Sequence, residues 1–195
     1  MSNRLAVILI VLVFPLSAVA QKSITDFSLK NVTNDQTISL SSMKDKKAVV
    51  VVFTSNYCPY AKLYEDRLIG LYSAYEDQNV GFVLVNPNHP ETSPEDAEAM
   101  MIKRAKEKSY PFAYLSDKDQ AVAKLFDARK TPEAFVLRPT TTGFQVLYQG
   151  AIDDNPQSSG EVRNYHLKDA LNLAIAGKKP AESYQRPTGC MIRGN

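Results

Sequence analysis

The chain has no tryptophan, only two cysteines and only two histidines. Two cysteines exclude a disulfide-dense scaffold and allow a single internal bridge at most. A Cys58/His89 pair would offer two ligands where zinc takes three or four, so neither a metal nor another cofactor is expected. No block of Lys or Arg stands out. Beyond residue 20, 22 basic residues face 21 acidic ones, which leaves nucleic acid and anionic membrane without an electrostatic footprint. Internal repeats and low-complexity tracts are missing. The one long apolar stretch, residues 5–16, is too short to span a bilayer.

That stretch has another reading. Arg4 supplies a positive n-region, residues 5–16 an apolar core, and Ala18-Val19-Ala20 a small-residue cleavage site before Gln21. Residues 1–20 are therefore expected to be a signal peptide, with the remainder exported to the periplasm or secreted and not stably inserted in a membrane. No cysteine follows the cleavage site, so a lipoprotein anchor is not supported. The 175 residues beyond it, in a chain 44% apolar, suffice for one domain with a full core and need no disulfide staple. Two cysteines kept in an oxidising compartment thus ask for a chemical explanation.

Cys58 offers one. Val49-Val50-Val51-Val52-Phe53 reads as a buried strand, and the polar turn after it delivers the cysteine directly before Pro59. Proline suits the first position of a helix, here one continuing through Tyr64, Leu68 and Leu71. A thiol at a helix start faces unpaired backbone N–H groups and the positive end of the helix dipole. Both favour thiolate, so a pKa below the usual value of about 8.5 is expected. Thiolate is the form that attacks disulfides and peroxides.

The remaining pattern alternates strands and helices. Residues 27–40 read as a β-hairpin around a turn at 31–36, and residues 59–78 as a helix. Residues 80–85 form a second apolar strand. Ser93-Pro94-Glu95-Asp96 has the form of an N-cap, a first-position proline and acidic first-turn residues, opening a helix to about residue 108. A strand at 112–115, a helix at 118–126, strands at 134–137 and 144–148, and an amphipathic helix at 165–176 closed by Gly177 complete the domain. This describes an α/β sandwich around a mixed sheet over residues 21–177, followed by a tail, 178–195, with little periodicity that carries Cys190.

These features together resemble the thioredoxin-fold redoxins, the broad group of thiol-specific antioxidants, peroxiredoxins and exported thioredoxin-like proteins. The resemblance spans roughly residues 27–176. It rests on the hairpin, on strand–Cys58-Pro59-Tyr60–helix, and on Thr131-Pro132 before a strand. More narrowly, Asn56-Tyr57-Cys58-Pro59-Tyr60 with Tyr64-Glu65-Asp66-Arg67-Leu68, Gly150-Ala151-Ile152-Asp153-Asp154-Asn155 and Arg186-Pro187-Thr188-Gly189-Cys190 are similar to a peroxiredoxin-like branch. The resemblance implies a three-layer thioredoxin-like sandwich with a central mixed sheet. It also implies that Pro132 is cis and that Thr131 faces Cys58, offering backbone hydrogen bonds to a bound disulfide. The departures are specific. Ala61 stands where thioredoxins carry a second cysteine, and Val52 where they bury an aspartate. Val51 and Ser55 replace the Pro and Thr that precede a peroxidatic cysteine.

The expected function is thiol–disulfide oxidoreduction with Cys58 as nucleophile, Thr131 and Pro132 as catalytic neighbours, and Tyr57, Pro59, Tyr60 and Asp153 facing the substrate. Cys190 is the only possible internal partner of Cys58, 132 positions downstream. It is a resolving cysteine, half of a structural bridge, or unpaired. Asp153 and Asp154 either accept protons and shape a groove or cap a solvated turn. His89 reads as a surface histidine, and Glu65, Asp66 and Arg67 as a charged helix face. Partners would be protein or small-molecule disulfides and a thiol reductant. The alternatives are a non-standard thiol peroxidase and a non-enzymatic metal carrier or adaptor.

Overall fold

The computed structural model describes residues 22–194. The expected signal peptide lies outside the described residues. Among the described residues no helix is long and apolar enough to cross a membrane.

The strands are β1 (Ser23–Ile24), β2 (Ser28–Asn31), β3 (Thr37–Ser39), β4 (Ala48–Phe53), β5 (Val80–Asn86), β6 (Ala113–Ser116), β7 (Lys130–Thr131), β8 (Glu133–Thr140), β9 (Gly143–Gly150), β10 (Tyr184–Gln185) and β11 (Cys190–Met191). The helices are α1 (Pro59–Tyr75), α2 (Glu98–Glu107), α3 (Ala121–Phe126) and α4 (His166–Ile175). The main sheet runs β1-β9-β8-β4-β5-β6-β2-β3, with β10 added alongside β9. It is mixed: β4 pairs in parallel with β5 and antiparallel with β8.

The period of two along β4 explains the three layers. Ala48, Val50 and Val52 point to one face and pack with Tyr64 and Leu68 of α1, Met101 of α2 and Leu167 and Leu171 of α4. Val49, Val51 and Phe53 point to the other and meet Val122 and Phe126 of α3, with Phe27 and Leu40 from the N-terminal hairpin. All six β4 side chains are buried, so the strand reads as an unbroken apolar run rather than an alternating one. Phe53, Phe126 and Phe135 close the second face in mutual edge-to-face contacts at centroid separations of 5.0–5.5 Å.

Three local expectations change. Ser93 does not cap an α-helix. Pro94–Asp96 is a 3-10 turn, and α2 starts two residues later at Glu98, because Asp96 is drawn into the interior instead of facing the helix dipole. Helix α3 begins at Ala121, since Asp117 caps it by accepting from the backbone N–H groups of Val122 (3.1 Å) and Ala123 (2.7 Å). The tail carries two short strands that dock on the domain. Gly150 makes the first docking possible: a Cβ there would sit 1.8 Å from the carbonyl oxygen of Gln185.

Candidate active site

Strand β4 ends at Phe53, and residues 54–58 descend to the start of α1, where Cys58 is the N-cap and Pro59 the first helical residue. Cys58 is fully buried and bonded to Cys190, with a Cα–Cα separation of 5.8 Å, inside the ordinary disulfide range. Thr131–Pro132 is cis, as the resemblance implied. The Cys58 Sγ lies 3.0 Å from the Thr131 carbonyl oxygen. In the disulfide this is a contact; a thiol in the same place would donate to that oxygen. Strand β11 pairs antiparallel with β7 so that Cys190 is opposite Thr131 and Met191 opposite Lys130. The sequence-predicted Cys58, Cys190, Thr131 and Pro132 are therefore brought together at one point.

Two buried carboxyl groups build the walls of this point: Asp96, which the sequence pattern assigns to the first turn of a helix, and Glu133, which no sequence pattern marks. Asp96 is 3% exposed and takes five hydrogen bonds. Its Oδ1 accepts from the Asn56 backbone N–H (2.6 Å) and Asn86 Nδ2 (2.7 Å); its Oδ2 accepts from Ser55 Oγ (2.8 Å), Asn88 Nδ2 (2.8 Å) and Ser93 Oγ (2.7 Å). Ser55 Oγ in turn accepts the backbone N–H groups of Tyr57 (3.1 Å) and Cys58 (3.3 Å). Tyr114, whose phenol burial pushes well above its usual pKa, donates to Asn56 Oδ1 at 3.1 Å. Glu133 shapes the opposite wall. Its Oε2 accepts the backbone N–H groups of Arg129 (2.9 Å) and Lys130 (3.1 Å), curling the chain that leads into Thr131. Its Oε1 accepts from Gln149 Nε2 at 2.8 Å.

The tail lies over the joint between the walls. Lys130 Nζ donates to the Pro187 carbonyl at 3.2 Å, and the Ile192 N–H donates to the Arg129 carbonyl at 3.0 Å. The Arg193 N–H donates to Asn88 Oδ1 at 2.8 Å, and its guanidinium lies over the Tyr57 ring, 3.6 Å from the centroid. Beneath the tail, Thr131 Oγ1 is buried without a hydrogen-bond partner.

The expected substrate-facing residues separate into two groups. Tyr57 and Pro59 are exposed beside the disulfide and Tyr60 is half-buried on α1. Asp153 is turned inward and 6% exposed, held by Arg67 Nη1 (2.7 Å) and the Tyr64 hydroxyl (2.7 Å). Burial and the Asp153 bond push the Tyr64 phenol up, which keeps it a donor at physiological pH. The same Arg67 donates to the carbonyls of Asn155 (2.7 Å) and Pro156 (3.0 Å), so the pair fastens the loop after β9 to α1. The charged-face reading of α1 needs the same revision at Glu65. It is 5% exposed and pairs with Arg104 through two bonds of 2.7 and 2.5 Å; only Asp66 is a surface charge. Asp154 caps its turn by accepting from the Arg163 N–H at 3.0 Å and the Asn164 N–H at 3.1 Å; these bonds hold its carboxyl below its usual range. Replacing Asp153 by Asn is expected to lower stability by about 1–3 kcal/mol, because it leaves a half-buried guanidinium without its counter-charge. Urea unfolding reads the change, and a loss below about 0.5 kcal/mol would mean the pair is solvent-screened.

Among the described residues no group of three or more His, Cys, Asp or Glu side chains is placed to hold a metal ion. What the arrangement can do is thiol chemistry: one cysteine at a helix start, a second delivered to it by a paired strand, and a backbone carbonyl beside both.

The family comparison agrees. The AhpC/TSA family profile matches residues 20–143, and the chain belongs to that family, a thioredoxin-fold redoxin. Among solved structures, an uncharacterized conserved protein from Geobacillus kaustophilus is 33% identical, covering 90% of this chain and 92% of its own at a TM-score of 0.81. A hypothetical protein from Sinorhizobium meliloti 1021 is 27% identical over 92% of this chain and 97% of its own, also at 0.81. A secreted disulfide oxidoreductase of Mycobacterium tuberculosis, 15% identical over 77% of this chain and 95% of its own, shares the fold at a TM-score of 0.54. No curated protein matches the chain.

Proposed function

We propose that this chain is an exported thiol–disulfide oxidoreductase in which Cys58 is the attacking cysteine and Cys190 the resolving one. The observation that carries the reading is the register of β11 on β7: strand pairing with Thr131 presents Cys190 to Cys58 at the cis-proline. The leader-like residues 1–20 support export, as does the secreted neighbour of the same fold.

The cycle balances as follows. The Cys58 thiolate attacks one sulfur of a substrate disulfide; that bond breaks, and the other sulfur leaves with its electron pair and takes a proton. The Cys190 thiolate then attacks the Cys58 sulfur of the mixed disulfide and displaces the second substrate thiolate. The substrate has gained two electrons and the protein holds Cys58–Cys190. An external thiol restores the dithiol by two further exchanges. With Ala61 in place of a nearby second cysteine, the tail is the only internal source of a resolving thiol.

Mixed-disulfide trapping tests this. Cys190→Ser should accumulate long-lived adducts on Cys58, Cys58→Ser should form none, and the single turnover in which the reduced protein frees both substrate thiols without added thiol should be lost in both. Release of the second substrate thiol by reduced Cys190→Ser at the parent rate, with no thiol added, would remove the resolving role. The family match favours a second reading, a thiol peroxidase. There Cys58 thiolate takes the terminal oxygen of a peroxide, releases an alcohol or water, and the resulting sulfenic acid condenses with Cys190 to expel water. Comparing peroxide with disulfide as oxidant of the reduced protein separates the two.

A further inference from the structure

The docked tail has the shape of a bound substrate. Along residues 189–193 each position meets a different constraint. Gly189 passes so close to the cis-proline turn that a Cβ would lie 2.4 Å from the Thr131 carbonyl oxygen and 3.1 Å from the Pro132 nitrogen, both backbone atoms that cannot step aside. Cys190 faces inward to Cys58, and Met191 faces solvent with 63% exposure. Ile192 turns inward again and packs against the core face built by β4 and α3. This in–out–in alternation is that of an extended strand laid on an edge. Arg193 ends it. Its guanidinium stacks on Tyr57 and donates to the Thr92 carbonyl at 3.1 Å, while Asn88 Oδ1 and Gln120 Nε2 hold its backbone N–H and carbonyl.

From this we infer that the groove vacated by the reduced tail selects extended polypeptide disulfides of the form Gly-Cys-x-apolar-basic, with Tyr57 reading the basic residue three positions after the cysteine. The inference rests on the oxidoreductase reading and names its substrate class. Any peptide whose cysteine bonds to Cys58 while paired with β7 must place its neighbours where Gly189, Ile192 and Arg193 now lie. The clash at the preceding position follows from backbone alone. The preference at the third following position follows from the ring of Tyr57, which is 37% exposed even with Arg193 upon it.

The test uses reduced full-length Cys190→Ser and a synthetic peptide of tail residues 187–193, its cysteine joined to thionitrobenzoate. Cys58 thiolate attacks the peptide sulfur, and the coloured thionitrobenzoate leaves with the electron pair, so the rate is read directly. Against the Arg peptide, an Ala in that position should slow the reaction about two- to fivefold, and Glu should slow it further. Val in place of the glycine should slow it about tenfold. Tyr57→Ala should bring the Arg-to-Ala rate ratio near one, and Tyr57→Phe should retain it. Equal rates for Arg, Ala and Glu peptides, or an unchanged ratio in Tyr57→Ala, would overturn the inference while leaving the oxidoreductase reading in place. If none of the peptides forms an adduct on Cys58, the oxidoreductase reading itself fails.

Discussion

Reduction of Cys58–Cys190 is expected to lower the stability of the fold by about 3–5 kcal/mol. The bridge joins residues 132 apart, so in the unfolded chain it closes a loop of most of the domain. The chain-entropy model gives about 5 kcal/mol for a loop of that length. Part of this is offset in the reduced protein, because a free Cys58 thiolate at the start of α1 regains the interaction with the helix N-terminus, about 0.3–2 kcal/mol. The tail's other attachments, β10 on β9 and Lys130 on the Pro187 carbonyl, do not depend on the bond. Reduction should therefore weaken the fold without unfolding the domain. Urea unfolding of oxidised, reduced and Cys190→Ser protein measures this. At a slope of about 1–3 kcal/mol per molar urea, the midpoint should fall by about 2 M. The reduced protein and Cys190→Ser should agree. A difference under about 1 kcal/mol would show that the bond does not constrain the chain. The same cycle works in reverse: whatever the bond adds to the fold, the fold adds to the bond. A large value makes the oxidised form hard to open and favours a structural bridge; a resolving cysteine belongs at the lower end of the range.

The parts of this site that sequence made legible are those written in contiguous residues. A run of β-formers, a polar turn and Cys58-Pro59 specify strand, N-cap and helix within a dozen positions, and α1 begins where they say. The cis bond at Thr131–Pro132 came from resemblance, since nothing in the dipeptide alone selects that isomer. What local pattern could not give are side chains whose roles depend on partners far along the chain. In sequence Arg67 is one of three charges on a helix face, but its partner Asp153 is 86 residues away; Glu65 finds Arg104 at 39. The tail strands β10 and β11 are two residues each, a single strand period, too short for alternation to show, which is why the tail has little periodicity in sequence. Asp96 departs from its sequence pattern for a sharper reason. Ser-Pro-Glu-Asp is a standard helix opening, and the one observation that distinguishes a dipole-facing aspartate from a buried one is the cluster of Asn and Ser side chains that surrounds it in space.

Asp96 is accordingly where the second large effect is expected. Three of its five partners, the Asn56 N–H and the amides of Asn86 and Asn88, can only donate, and all three groups are buried. Asp96→Ala would leave the Asn56 N–H unpaired beside a new cavity and take one of two bonds from each amide, Asn86 keeping the Tyr114 hydroxyl and Asn88 keeping Ser55 Oγ, each at 3.0 Å; each lost bond costs about 1–3 kcal/mol, not additively. A total of about 3–5 kcal/mol is expected by urea unfolding. Ser93→Ala, which removes a single donor from the same cluster, should cost about 1 kcal/mol. The functional consequence follows from what the carboxyl group holds on either side. Through Ser55 it sets the backbone N–H groups of Tyr57 and Cys58; through Asn88 it sets the acceptor that binds the tail at Arg193. Nucleophile and tail are thus oriented by one side chain. In whatever fraction of Asp96→Ala remains folded, the Cys58–Cys190 bond should form more slowly after dilution from reductant, while alkylation of Cys58 persists. If Asp96→Ala unfolds within about 1 kcal/mol of the parent and closes its disulfide at the parent rate, the network is incidental, and the loop before Cys58 is held by β4 and Pro59 alone.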